Sequence, residues 1–406
     1  MWTFKYTVLN IAYFVAFCTI HAYAAVYLLA NGFSNTEVGL LLAVSNIASA
    51  VFQPLVAGII DGPGPLTNRL YVLISVVGIL AGCVILMFVP GRKVPVFIIF
   101  ALIYTLQFVY QPVLTALCFE YRKAGCGIFY GLARGMGSAG FAVASLFIGS
   151  FVERNGVSIL MWISIAAMAV SAAVMLAFRK PKTEAESKDA GFEGSGGQGV
   201  AHNSLRSFAG TYPAFMLFLA ATVCFFFAHN MINDFMIQII RDLGGQETEL
   251  GIANFLQAIL ELPVMALSAV ILKKLSADKL LMISGAAFFI KILILVFAGN
   301  MAHMYLSQSF QLFAYAVFVP AGAYYVSSTM EELDQVKGQA LITSAITVGG
   351  VFSNFISGYI LDHYTIKTML LTGTAVCGIG VIIGVIAMLR LPHHVMGSKA
   401  GEYARV

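Results

Sequence analysis

Apolar residues fill the chain in twelve long blocks separated by short polar gaps. The blocks lie at roughly 6–30, 37–60, 70–90, 94–119, 127–151, 157–178, 212–240, 250–272, 280–299, 302–326, 339–361 and 368–390. Crossing a bilayer takes about 20 apolar residues in a helix, so each block is long enough for one span. The pattern predicts an all-α integral membrane protein in which every span is one helix. An even number of spans puts both termini on the same side.

Composition supports this reading. Of 406 residues, 60% are hydrophobic and 10% charged, against about 25% charged in an average soluble domain. Soluble enzymes, nucleic-acid binders, coiled coils and disordered chains are poor fits. The net charge of +4 follows from topology. With both termini inside, Arg92, Lys93, Arg154, Arg241 and Lys367 are the outer basic residues, and Arg134 and Lys291 fall within spans. The other sixteen of the 23 lysines and arginines are cytoplasmic, which predicts a termini-in, multi-pass protein of a bacterial inner or plasma membrane. The first block is too long for a cleavable signal. The six cysteines show no disulfide or zinc spacing, so no metal or cofactor is expected. Partners are expected to be the bilayer, a small-molecule substrate and protons. Nucleic acid is not expected, and the chain should work as a monomer.

The longest polar stretch divides six blocks from six. The expected organisation is a six-helix bundle at 1–178, a flexible cytoplasmic linker at 179–210, a second six-helix bundle at 211–391 and a cytoplasmic tail at 392–406. The halves also repeat. Gly32-Phe-Ser-Asn-Thr-Glu-Val-Gly39 precedes the second block, and Gly244-Gly-Gln-Glu-Thr-Glu-Leu-Gly251 precedes the eighth, 212 positions later. In each, threonine can cap a helix and glutamate complements the positive end of its dipole. Two copies at equivalent places imply a duplicated six-helix unit, which puts the substrate between the halves and moves it by alternating access.

Several motifs resemble the major facilitator superfamily, in particular its lactose-permease-like branch of oligosaccharide/proton symporters and phenylpropionate-permease-like relatives. Phe52-Gln-Pro-Leu55 followed by Asp61 resembles the second span and signature loop of that branch, though the loop here runs Gly62-Pro-Gly-Pro-Leu-Thr-Asn-Arg69. The resemblance suggests a gating pair of Asp61 and Arg69. Tyr130-Gly-Leu-Ala-Arg-Gly-Met-Gly-Ser-Ala-Gly-Phe141 resembles the stretch carrying a substrate-binding arginine and a stacking aromatic, here Arg134 and Phe141. Glu261-Leu-Pro263 resembles a Glu-x-Pro of less characterised relatives, and Lys291 stands where the branch has an arginine. The branch's tenth-span lysine, histidine and glutamate align with Gln308, Gln311 and Ala314, and its sugar-binding glutamate with Thr115. The usual proton-coupling set is therefore missing, and galactoside specificity is not expected.

A charge at mid-bilayer needs a partner, a water-filled cavity or a neutralising proton. Arg134 is expected to contact substrate or to form a structural ion pair. Glu261 is read as a proton carrier with Lys291 as counter-ion, or as half of a static pair. Asp234 is a second proton site or a solvated rim residue. Tyr104, Gln107 and Gln111 share one face of the fourth span; Gln308, Gln311 and Tyr315 share one of the tenth. These amides could bind a polar solute or tie helices together. His21 and His229 read as packing residues. The function expected is proton-coupled symport of a sugar, nucleoside or aromatic acid. An uncoupled facilitator or exchanger is the alternative, and an integral-membrane enzyme is weaker still, since no nucleotide loop, metal cluster or nucleophile–base pair is present.

Overall fold

A computed structural model describes residues 1–62, 64–179 and 205–389. Most of the expected linker and the expected tail at 392–406 lie outside them. Among the described residues the chain is helical, with twelve stretches long and apolar enough to cross a membrane. The all-α, twelve-span expectation holds.

Nine spans are single helices and three are interrupted. The first is α1 (Trp2–Phe17), a π-helical turn at Cys18–Ala22, a break at Tyr23 and α2 (Ala24–Ala30). The next five are α3 (Asn35–Asp61), α4 (Asn68–Phe88), α5 (Lys93–Lys123), α6 (Tyr130–Asn155) and α7 (Ser158–Ala177). After short α8 (Leu205–Thr211), the seventh is α9 (Pro213–Asp234), a break at Phe235 and α10 (Met236–Asp242). Two single helices follow, α11 (Glu247–Lys274) and α12 (Ala277–Val296). The tenth span is α13 (Met301–Ser309), a 3₁₀ turn at Phe310–Leu312 and α14 (Tyr315–Thr329); α15 (Glu332–His363) and α16 (Ile366–Leu389) complete the set. Continuous helices were expected at the three broken spans. None of the breaks falls on glycine or proline, so side-chain pattern gives no warning of them.

The duplication extends beyond the motif. The breaks at Tyr23 and Phe235 are 212 positions apart, as are the seven-residue helices α2 and α10 and the starts of α3 and α11. The motif's parts now have separate causes. Its first glycine takes a left-handed turn in both copies, with φ of 84° at Gly32 and 82° at Gly244. Its glutamate closes the first helical turn: the Glu37 carboxylate accepts from Ser34 N–H at 2.8 Å, and that of Glu249 from Gln246 N–H at 2.7 Å. In the first copy the cap is Ser34, whose hydroxyl accepts from Glu37 N–H in a capping box. Thr36 had been expected to cap, but it lies inside the helix. The last glycine, Gly39 or Gly251, allows close helix contact, because a Cβ there would overlap a carbonyl oxygen of Asn354 or Ser145.

By packing the chain forms two compact units. The first comprises Met1–Gly194, Asp234–Ile259 and Asn354–His363; the second comprises Ser195–Asn233, Leu260–Ser353 and Tyr364–Val406. In the first, Tyr6, Tyr13 and Tyr23 are buried and donate their hydroxyls to the carbonyls of Leu114, Gln107 and Ser145. These bonds tie the first span to α5 and α6 and give each of the three phenols an acceptor. Pro112 in α5 cannot donate to the Phe108 carbonyl. The Gln53 amide of α3 does so instead, at 3.2 Å. In the second unit a stack of Phe218, Phe225, Phe226, Phe288 and Phe318 joins α9, α12 and α14.

Candidate functional site

In the second unit the 3₁₀ turn places Gln311 between two ionisable groups. Lys291, fully buried on α12, donates to Gln311 Oε1 at 2.7 Å. Gln311 Nε2 donates to Glu261 Oε1 on α11, also at 2.7 Å. Lys291 and Glu261, expected as counter-ions, are joined through this amide. The arrangement is polarised: the amide oxygen meets a cation that can only donate, and its NH₂ meets a carboxylate that accepts. Gln311 was expected to hold substrate, but both ends of its side chain are engaged here.

The break that carries Gln311 is supported on either side. Ala314 departs from helical geometry, with φ −81° and ψ −94°, and its carbonyl accepts from the buried Ser284 hydroxyl at 2.8 Å. Ser307 donates to the Lys291 carbonyl at 2.7 Å, locking α13 to α12. Such satisfaction is needed, because an unpaired peptide group inside a bilayer costs several kcal/mol. Tyr315, just after the break, stacks on His229 of α9 with ring centroids 5.5 Å apart and planes 8° apart. Asn233 and His229 share a hydrogen bond of 2.8 Å.

In the first unit Arg134 lies over the Phe14 ring, 4.3 Å from its centroid, and donates to Ser138 at 2.8 Å. Phe141 is reached from Arg134 through rings: Phe14 to Phe17 at 6.2 Å, then Phe17 to Phe141 at 6.4 Å. The same string continues to His21, which stacks on Phe17 at 4.0 Å and lies 3.8 Å from Tyr104 and 4.6 Å from Phe108. The fully buried Gln107 amide is beside the imidazole. Its two amide atoms and both His21 ring nitrogens are buried outside hydrogen-bond geometry. Gln111 and Thr115 are half-buried one turn apart, and the threonine hydroxyl donates to the Gln111 carbonyl at 3.2 Å.

His21 was expected to be a packing residue, and three aromatic rings surround it. A π turn widens its helix, a distortion frequent at functional sites, and the turn is pinned by Thr19, which bonds Ser164 at 2.5 Å. Asp234 is half-buried at the end of α9, beside Asn354 of α15. Asp61 is exposed at the end of α3, while Arg69 donates to the carbonyls of Phe178 and Met175 at 3.1 and 2.9 Å. The expected pairing with Asp61 thus gives way to capping of α7, where orphan carbonyls attract a cation.

Twelve spans built from a repeated six-span unit, three of them broken and carrying polar side chains at the breaks, define a transporter of the major facilitator fold. The chain belongs to the MFS_1-like family, whose family model matches residues 4–372. It is 25% identical over 343 residues to an uncharacterized transporter, YwbF, of Bacillus subtilis (strain 168), covering 82% of this chain and 80% of that one. It is 23% identical over 381 residues to a maltose permease of Geobacillus stearothermophilus, covering 93% and 91%. Among solved structures, a mutant of nucleoside transporter NupG superposes with a TM-score of 0.78 at 14% identity, covering 95% of this chain and all of that one. Peptide transporter POT in complex with sulfate gives 0.70 at 12% identity, covering 95% and 93%. These likenesses concern the fold.

Proposed function

We propose that this protein is a proton-coupled carrier of a small polar or amphipathic organic solute, working by alternating access with both termini in the cytoplasm. The observation that carries the reading is the Lys291–Gln311–Glu261 bridge on the interrupted tenth span. Discontinuous helices supply ion and substrate sites in carriers of this architecture. Glu261 is the proton carrier. While ionised it accepts from the Gln311 amide and balances Lys291 through it. Once protonated it no longer balances the cation, and the amide loses its reason to hold this orientation. The bridge then reorganises, and because Gln311 lies on a 3₁₀ turn beside a distorted residue, the two halves of the span can follow. Asp234 is a second candidate for the proton.

The solute is of the sugar, nucleoside or aromatic-acid kind. The aromatic string of Phe14, Phe17, Phe108 and Phe141 suits a flat or pyranose ring. Arg134 adds a forked donor, with Gln107, Gln111 and Thr115 as amide and hydroxyl partners. A sugar and a nucleoside are also the solutes that the maltose permease and the nucleoside transporter NupG are named for. Purified protein is screened by thermal shift against maltose, uridine and phenylpropionate. Glu261→Gln is then tested in proteoliposomes with the solute that binds. Uphill accumulation driven by a proton gradient should be abolished, and counterflow exchange retained. Accumulation at the parent level removes Glu261 from coupling; loss of both removes the distinction on which the assignment rests.

A further inference from the structure

The first unit contains a second symmetric arrangement that neither the fold nor the bridge requires. Asp362, in the last turn of α15, sits against the start of α3. Its carboxylate accepts from Asn35 N–H at 3.0 Å, from the Asn35 amide at 3.0 Å and from Thr36 N–H at 2.7 Å. Glu153, near the end of α6, does the same at the start of α11, accepting from Thr248 N–H at 2.6 Å. Thr36 and Thr248 are the threonines of the two repeat motifs. The acceptors Glu153 and Asp362 are 209 positions apart, and the helix starts they meet are 212 apart. One contact is therefore the internal copy of the other.

Electrostatics explains why such a pair serves closure. A carboxylate in the last turn of a helix faces the negative end of its own dipole, the wrong place for it. It becomes favourable only against the positive end of another helix, where free peptide N–H groups await acceptors. Both carboxylates are in this position, and in each case the helix they meet belongs to the other sequence repeat. The neighbouring acids have partners of their own: Glu37 pairs with Lys93 and Glu247 with Arg241, each at 2.6 Å. Around the latches the backbones lie against each other. A Cβ at Gly358 or Gly149 would overlap the carbonyl oxygen of Asn35 or Glu247, repeating what Gly39 and Gly251 do one to two turns further in.

We propose that Asp362 and Glu153 are paired carboxylate latches that hold this end of the carrier shut, each closing on the first peptide groups of a helix from the opposite repeat and releasing together when the end opens. The idea rests on the alternating-access reading, but its test needs no substrate, so its failure would leave the transport reading standing. The reporter is a thiol buried just inside the latches. Ser145, fully buried on α6, has its carbonyl against Gly251, and Ser145→Cys changes little in volume. The control is native Cys83, fully buried on α4, a helix that carries neither the latch carboxylates nor the peptide groups they meet. Alkylation by N-ethylmaleimide is followed at both thiols in the full chain by mass spectrometry. In the Ser145→Cys background, Asp362→Asn should speed reporter labelling about fivefold or more, the scale of a lost charge-assisted hydrogen bond. Glu153→Gln should have a smaller effect, and the pair a larger one than either. Cys83 labelling should not change. Unchanged reporter labelling in the double variant overturns the proposal. So does a parallel rise at Cys83, which would mean the carboxylates merely stabilise the fold.

Discussion

Replacing Gln311 by leucine isolates the energy of the buried bridge. Gln311→Leu keeps roughly the same volume and removes both 2.7 Å hydrogen bonds. Lys291 is then left in a fully buried site with its acceptor gone. A hydrogen bond to a charged group contributes about 1.5–3 kcal/mol, and stranding one member of a buried charged pair costs about 3–5 kcal/mol. Glu261 still acts on Lys291 through space, so the lower part of that range, about 3 kcal/mol, is the expected loss. At about 2–4 °C per kcal/mol for a folding unit of 150–250 residues, the melting temperature should fall by about 6–12 °C. Lys291→Met in the same chain should recover part of the loss, because it removes the fully buried cation and leaves the half-buried Glu261 as the remaining charge. Both tryptophans, Trp2 and Trp162, lie in the first unit, so unfolding of detergent-purified protein is followed by far-ultraviolet circular dichroism. A single variant melting within about 1 °C of the parent would refute the reasoning. So would a double variant melting as low as the single.

Two further outcomes bear on the rest of the site and on the surface. Arg134→Lys should weaken binding of the solute chosen by the thermal-shift screen about tenfold in equilibrium dialysis, since an ammonium cannot reproduce the planar fork; unchanged affinity would make the Phe14 and Ser138 contacts purely structural. Cys126, in the turn between α5 and α6, has its thiol pushed up from the usual range by burial. Its alkylation should therefore be slow at neutral pH and rise with pH through a midpoint above that of free cysteine. A midpoint at or below that of a free thiol would contradict this.

The spans and their duplication could be read from hydropathy and from two copies of a short motif, because burial in lipid demands long apolar helices. The breaks could not. Tyr23, Phe235 and Ala314 are ordinary residues for a helix, and what bends the chain there is the packing around them. Charge placement was legible only in part. Glu261 and Lys291 stood out as ions in apolar runs, but their linkage through Gln311 depends on a 3₁₀ turn that brings the amide between them. The family resemblance suggested a pair of Arg69 and Asp61, whereas the structure sends Arg69 to carbonyls more than 100 positions away. Asp362 and Glu153 gave no signal at all. Each sits at a span end, where charge is unremarkable until the helix it meets is known. Thr36 shows the same limit on a smaller scale: the serine two positions earlier took the capping role, freeing the Thr36 N–H for a distant carboxylate.

The four glycines that meet peptide carbonyls at the latched end have a kinetic consequence. Glycine has no rotamers to lose, so bringing these surfaces together orders little beyond the latch side chains themselves. Separation correspondingly releases little disorder to favour the open state. Closing is thus governed by a few directional electrostatic bonds between surfaces that are already shaped for each other, with only a small entropic bias either way. A device that must reverse itself once per cycle benefits from such a balance, since neither state becomes a trap from which the next step is slow.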